Sequence, residues 1–77
     1  MTNFVVHNGY KGVYTITWNE QDKWITRLSF ANNEGQTCTY EGAAYSQSEV
    51  IKRTHDAWAN MVDGGIVGNQ HKEAFNG

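Results

Sequence analysis

Gln36-Thr37-Cys38-Thr39-Tyr40-Glu41, and after it Ser46-Gln47-Ser48-Glu49-Val50-Ile51-Lys52-Arg53-Thr54, mark the place where the chain changes its period. In the first stretch Cys38 and Tyr40 alternate with Thr37, Thr39 and Glu41, the two-residue repeat of a strand with one face on a core. In the second, Val50, Ile51, Thr54, Trp58, Met61 and Val62 recur at helical spacing, and Gln47, Glu49, Lys52, Arg53, Asp56 and Asn60 fill the remaining arc. Ser46-Gln-Ser-Glu49 has the spacing of a capping box, Tyr45 and Val50 that of a hydrophobic staple, and Gly64-Gly65 supplies a stop. The spacing predicts one amphipathic helix over about 47–62, supported by a Glu49–Arg53 pair at i,i+4.

Upstream of the switch the two-residue period repeats. Lys23 to Phe30 places Trp24, Leu28 and Phe30 opposite Ile25, Arg27 and Ser29; Gly12 to Trp18 places Tyr14, Ile16 and Trp18 opposite Val13, Thr15 and Thr17. Asn19 to Asp22 and Asn32 to Gly35 are turn segments, and Asn8-Gly9 after Phe4-Val-Val-His7 is the pair suited to a type I′ hairpin. The prediction is an α+β domain over 1–77: a three- or four-stranded antiparallel sheet over about 3–41, one amphipathic α-helix packed on one face, and an irregular tail over 64–77. Ile66, Val67 and Phe75 are the tail's expected anchors.

Seventy-seven residues allow one small core, and the ten aromatics (three Trp, four Tyr, three Phe) supply large groups to fill it. Six Lys and Arg against eight Asp and Glu give a formal charge of −2, without the cation excess that sequence-independent phosphate binding draws on. Cys38 is the sole cysteine, which excludes an intrachain disulfide and fits a reducing cytosol. The first residues carry no basic segment followed by an apolar run, so the expectation is a cytoplasmic protein with no membrane partner.

No residue set has the spacing of a catalytic or metal site. Cys38 is expected inward without a neighbouring base, and His7, His55 and His71 are too far apart in sequence to form a ligand cluster. Glu20 and Asp22 read as a solvated hairpin tip, since a calcium loop needs more oxygen ligands than that turn offers. No cofactor or metal is expected. What remains is surface: Thr15, Thr17, Ile25, Arg27, Thr37 and Thr39 share the sheet face turned away from the helix. Such a face is either a solvated strand surface of high β-propensity or a flat docking patch, with Glu20, Asp22, Glu34 and Glu41 at loop tips and a strand end as the candidate contacts for a basic target.

Two resemblances bear on these residues. Tyr10-Lys-Gly-Val13, Trp24 and Arg27 on a following strand, and Gly42 ahead of a helix ending at Gly64 resemble the ethylene-response-factor type of DNA-binding domain over about residues 10–64. That resemblance implies a sheet laid in the major groove, with Lys11, Lys23 and Arg27 as phosphate or base contacts. The second is one of layout. A chain below 80 residues, sheet then helix, rich in Asn, Gln and Gly, is similar to phage-encoded inhibitors of bacterial defence of the anti-CRISPR type. It implies a non-enzymatic inhibitor that occludes a host protein or ribonucleoprotein complex in the host cytoplasm, as a monomer or a homodimer. The first expectation is therefore protein binding, and the alternative is DNA binding.

Overall fold

A computed structural model of the chain describes residues 2–73. Four strands form one antiparallel sheet in chain order: β1 (Thr2–His7), β2 (Tyr10–Trp18), β3 (Trp24–Ala31) and β4 (Thr37–Ala44). They are followed by α1 (Gln47–Asp63) and a short 3₁₀ turn, η1 (Asn69–His71). The sheet therefore runs beyond the expected end at Glu41. Gly42, Ala43 and Ala44 stay in register with Thr26, Ile25 and Trp24, and Gly42 and Ala44 are buried on the helix side. A Cβ on Gly42 would lie 2.9 Å from Thr26 Oγ1 and 3.0 Å from the Tyr40 hydroxyl.

Each hairpin has a local cause. Asn8 (φ 50°) and Gly9 (φ 81°) take the two positive φ angles of a type I′ turn between β1 and β2. The other two turns are copies of each other: Asn19 Oδ1 accepts from the Gln21 and Lys23 amides, and Asn32 Oδ1 from those of Glu34 and Gln36. The left-handed position is filled by Asp22 (φ 58°) in one and by Gly35 (φ 80°) in the other.

Ser46 caps α1 by accepting from the Glu49 amide at 3.2 Å, while the Glu49 carboxylate turns to Arg53 at 2.6 Å. The expected staple does not form: Tyr45 is 74% exposed, with its ring under the Lys23 ammonium, while Val50 is fully buried. The helix ends in a Schellman arrangement, one residue past the expected Val62. The Gly65 amide donates to Val62 O and that of Ile66 to Met61 O, with Gly65 at φ 76°.

The helix crosses the sheet diagonally, from the end of β4 to the end of β1, where Asp63 meets His7 at 2.9 Å. Val50, Thr54 and Trp58 face down. Trp58 is fully buried over Gly12, and its indole N–H donates to Tyr10 O at 2.9 Å. Val5, Tyr14, Leu28, Phe30, Trp58 and Val67 form one continuous core.

Through Glu73 the tail holds no regular element beyond η1, as expected, and backbone bonds pin it to the sheet. Of the expected anchors, Val67 is buried, Ile66 is 50% exposed, and Phe75 lies outside the described residues. After Val67 the chain crosses the end of the sheet as a strap. The Gly68 amide donates to Ala31 O at 2.7 Å, His71 Nε2 accepts from the Ala31 amide at 2.9 Å, and the Glu73 amide donates to Gly9 O at 2.7 Å. These bonds give partners to backbone groups at the end of β3 and in the β1–β2 turn. No helix among the described residues is long and apolar enough to cross a membrane.

The uncovered sheet face as candidate functional site

Helix and strap both lie on the side of Val5, Tyr14, Leu28 and Phe30, so the pleat sends the alternate residues to a face that no described element covers. The register brings the expected contact residues together there. Thr15 pairs with Arg27, Thr17 with Ile25, Arg27 with Glu41, and Ala31 with Thr37. Thr15, Thr17, Ile25, Arg27 and Glu41, with Asn19, line one shallow depression of about 340 Å³. Its lining combines the Thr15 and Thr17 hydroxyls, the apolar Ile25 side chain and the Arg27–Glu41 pair (Nε to Oε2, 2.9 Å). Arg27 and Glu41 are largely exposed, so the pair orients the guanidinium without contributing much stability. Thr37 and Thr39 lie further along β4 on the same face, with Thr39 Oγ1 3.3 Å from Ser29 Oγ.

The loop carboxylates do not join the depression. Glu20 and Asp22 stand on the β2–β3 turn, and Glu34 on the β3–β4 turn beside Gly65 and Ile66, where Asn33 donates to Gly65 O at 2.7 Å. The three cations of the DNA-binding alternative are each engaged within the chain. Lys11 lies 4.1 Å from the centre of the Phe4 ring and 3.7 Å from Glu73, Lys23 lies over Tyr45, and Arg27 holds Glu41.

The face also has an apolar half, of which the sequence reading marked Val13 but not Phe4 and Val6. Phe4, Val6 and Val13 are 57%, 54% and 44% exposed, and Phe4 is the direct register partner of Val13. The alternation that puts Val5 inward puts Phe4 and Val6 outward, so the signal was present in the strand pattern. Placed beside the hydroxyl-lined depression, these side chains give the face an apolar sector and a polar sector.

The histidines serve the fold. His7 meets Asp63, His71 takes the Ala31 amide and packs edge to face on Trp58 at 5.8 Å, and His55 Nε2 lies 3.0 Å from the Tyr14 hydroxyl. Tyr14 itself is pushed above its ordinary value of 10.0 by burial. Among the described residues, no group of three His, Cys, Asp or Glu is placed to hold a metal ion. Set against protein-family models, curated proteins and solved structures, the chain matches none.

Proposed function

We propose that this protein is a non-enzymatic binding protein, an inhibitor of the kind phages encode against bacterial defence complexes, that occludes a surface of a host protein or ribonucleoprotein in the cytoplasm. The observation that carries the reading is the uncovered sheet face, where Phe4, Val6 and Val13 stay exposed beside the depression lined by Thr15, Thr17, Ile25, Arg27 and Glu41. A chain this small has few large apolar groups, and leaving three in water on one face is unfavourable by an amount that a partner recovers on docking. Thr37 and Thr39 extend the contact along β4, and Glu20, Asp22 and Glu34 suit a basic rim on the target.

The test compares capture from bacterial lysate by the wild type with capture by three variants. Thr15→Glu with Thr39→Glu, or Phe4→Ser with Val13→Ser, abolishes a specific partner, whereas Lys52→Ser on the outer side of the helix retains it. A partner held equally by all of these variants overturns the reading. The DNA-binding alternative calls on Lys11, Lys23 and Arg27, and it predicts salt-sensitive retardation in a gel-shift titration at two salt concentrations, lost in Arg27→Ala. The binding-protein reading predicts none.

A further inference from the structure

The β2–β3 hairpin closes through Trp18-Asn19-Glu20-Gln21-Asp22-Lys23-Trp24. Trp18 and Trp24 are register partners, and their rings meet edge to face at 5.1 Å. Both point to the helix side of the sheet, where the helix starts beside Ala44 and then runs away from them toward β1. The row is therefore covered unevenly: Ala44 is buried, Trp24 is half-buried, and Trp18 is 53% exposed. On the other flank β1 follows β2 only as far as Thr15. An indole held rigidly by its neighbour and left half in water is the kind of group that anchors interfaces.

Charge decides the occupant. Of the eight acids, Glu41, Glu49, Asp56, Asp63 and Glu73 each have a basic partner, and Glu20, Asp22 and Glu34 have none among the described residues. Two of those three lie between the tryptophans. Lys23, the cation nearest in sequence, sits 5.4 Å from the centre of the Tyr45 ring and forms no ion pair with either carboxylate. The turn is held by the Asn19 side chain, so both carboxylates are free of structural duty. An indole face attracts a guanidinium, and carboxylates accept its forked N–H groups, whereas a phosphate in the same place is repelled.

We infer that the β2–β3 tip docks an arginine-bearing segment of a partner polypeptide, with the guanidinium on the open face of Trp18 and Glu20 and Asp22 as its counter-charges. The inference deepens the binding reading at the loop tips, and it rests on that reading for its setting. Its chemistry is tested separately, because the tryptophans lie on the opposite side of the sheet from the groove.

The probe is an acetylated, amidated Gly-Arg-Gly-Arg-Gly peptide and its citrulline counterpart, titrated into the full chain while the indole N–H resonances are followed. The Trp18 and Trp24 signals shift saturably with the arginine peptide, and that of Trp58, bonded to Tyr10 O, stays in place. The citrulline peptide binds at least about fivefold more weakly, and Glu20→Gln with Asp22→Asn weakens the arginine peptide by about tenfold, or roughly 1.4 kcal/mol. Trp18→Ala does the same where it folds, and the charge-neutral variant carries the test where it does not. Thr15→Glu with Thr39→Glu keeps peptide binding, so failure at the groove and failure at the tip are told apart. The inference is overturned by the absence of a saturable shift, by equal response to citrulline, by full affinity in the charge-neutral variant, or by a stronger response to oligo-dT, which would make the indoles a base-stacking platform.

Discussion

Thr26 and Thr54 join sheet to helix through a hydrogen bond of 2.6 Å, and neither side chain exposes any surface. Thr54 Oγ1 also donates to Val50 O at 2.8 Å, so its proton is used and the Thr26 hydroxyl must be the donor between the two. The arrangement is directional. Removing the acceptor strands a buried donor, whereas removing the donor leaves Thr54 satisfied.

Thr54→Val is accordingly expected to cost about 2 kcal/mol and Thr26→Val about 1 kcal/mol, with the double variant costing less than the sum. Chemical denaturation of the four proteins measures the cycle. Equal single-variant losses that add without coupling would contradict the assigned direction.

Gly12 is the floor on which Trp58 rests. A Cβ there lies 3.1 Å from the indole ring, and both the strand and the fully buried tryptophan are confined by their neighbours. Gly12→Ala should lower stability by about 1–3 kcal/mol through overpacking. For a chain of this size that is a fall in melting temperature of roughly 4–8 °C per kcal/mol, read by circular dichroism.

The two copied turns make an internal comparison possible. Asp22 holds the left-handed position that Gly35 holds in the second turn, at a conformational cost that glycine avoids. Asp22→Gly is expected to raise stability by about 0.5 kcal/mol and Gly35→Asp to lower it by a similar amount. If Asp22→Gly also weakens the arginine peptide, the carboxylate is retained for contact and not for folding.

Tyr14 makes stability fall in alkali. Burial raises its folded-state pKa above the unfolded value of 10.0, so the folded chain binds more protons than the unfolded one once pH passes that value. Its contribution is complete below about pH 10 and is lost as pH rises through the folded-state value. Denaturation midpoints measured from pH 8 to 11.5 should therefore drop more steeply in the wild type than in Tyr14→Phe, which keeps the ring and loses the ionisation.

Much of the fold was legible because its signals are local. The change of period at Tyr45, the Asn8-Gly9 pair, the Ser46 cap and the Gly64-Gly65 stop each act within a few residues, and each is found where the sequence put it. The outer-face set was legible for the same reason, since alternation alone sends Thr15, Thr17, Arg27 and Thr39 to one side. The strap was not: Gly68 to Ala31 and Glu73 to Gly9 are pairings across dozens of positions, and nothing near Gly68 announces its acceptor. Trp18 was expected inward and does face the helix side, yet its exposure depends on the direction in which α1 leaves β4, which no periodicity specifies. Val13 was legible on the outer face with Thr15 and Thr17, but Phe4 and Val6 were missed, because a short apolar run reads as strand propensity before it reads as surface.

The strap also sets the order of events during synthesis. All four strands have been made by Ala44, but the groups that dry their inner side arrive late, Trp58 from the helix and Val67 from the segment after it. A ribosome releasing this chain from its amino end exposes Tyr14, Leu28 and Phe30 to water until Trp58 and Val67 have also emerged. Completion of this core thus waits on the segment after the helix, and a product cut short before Val67 is a natural client for chaperones and proteases.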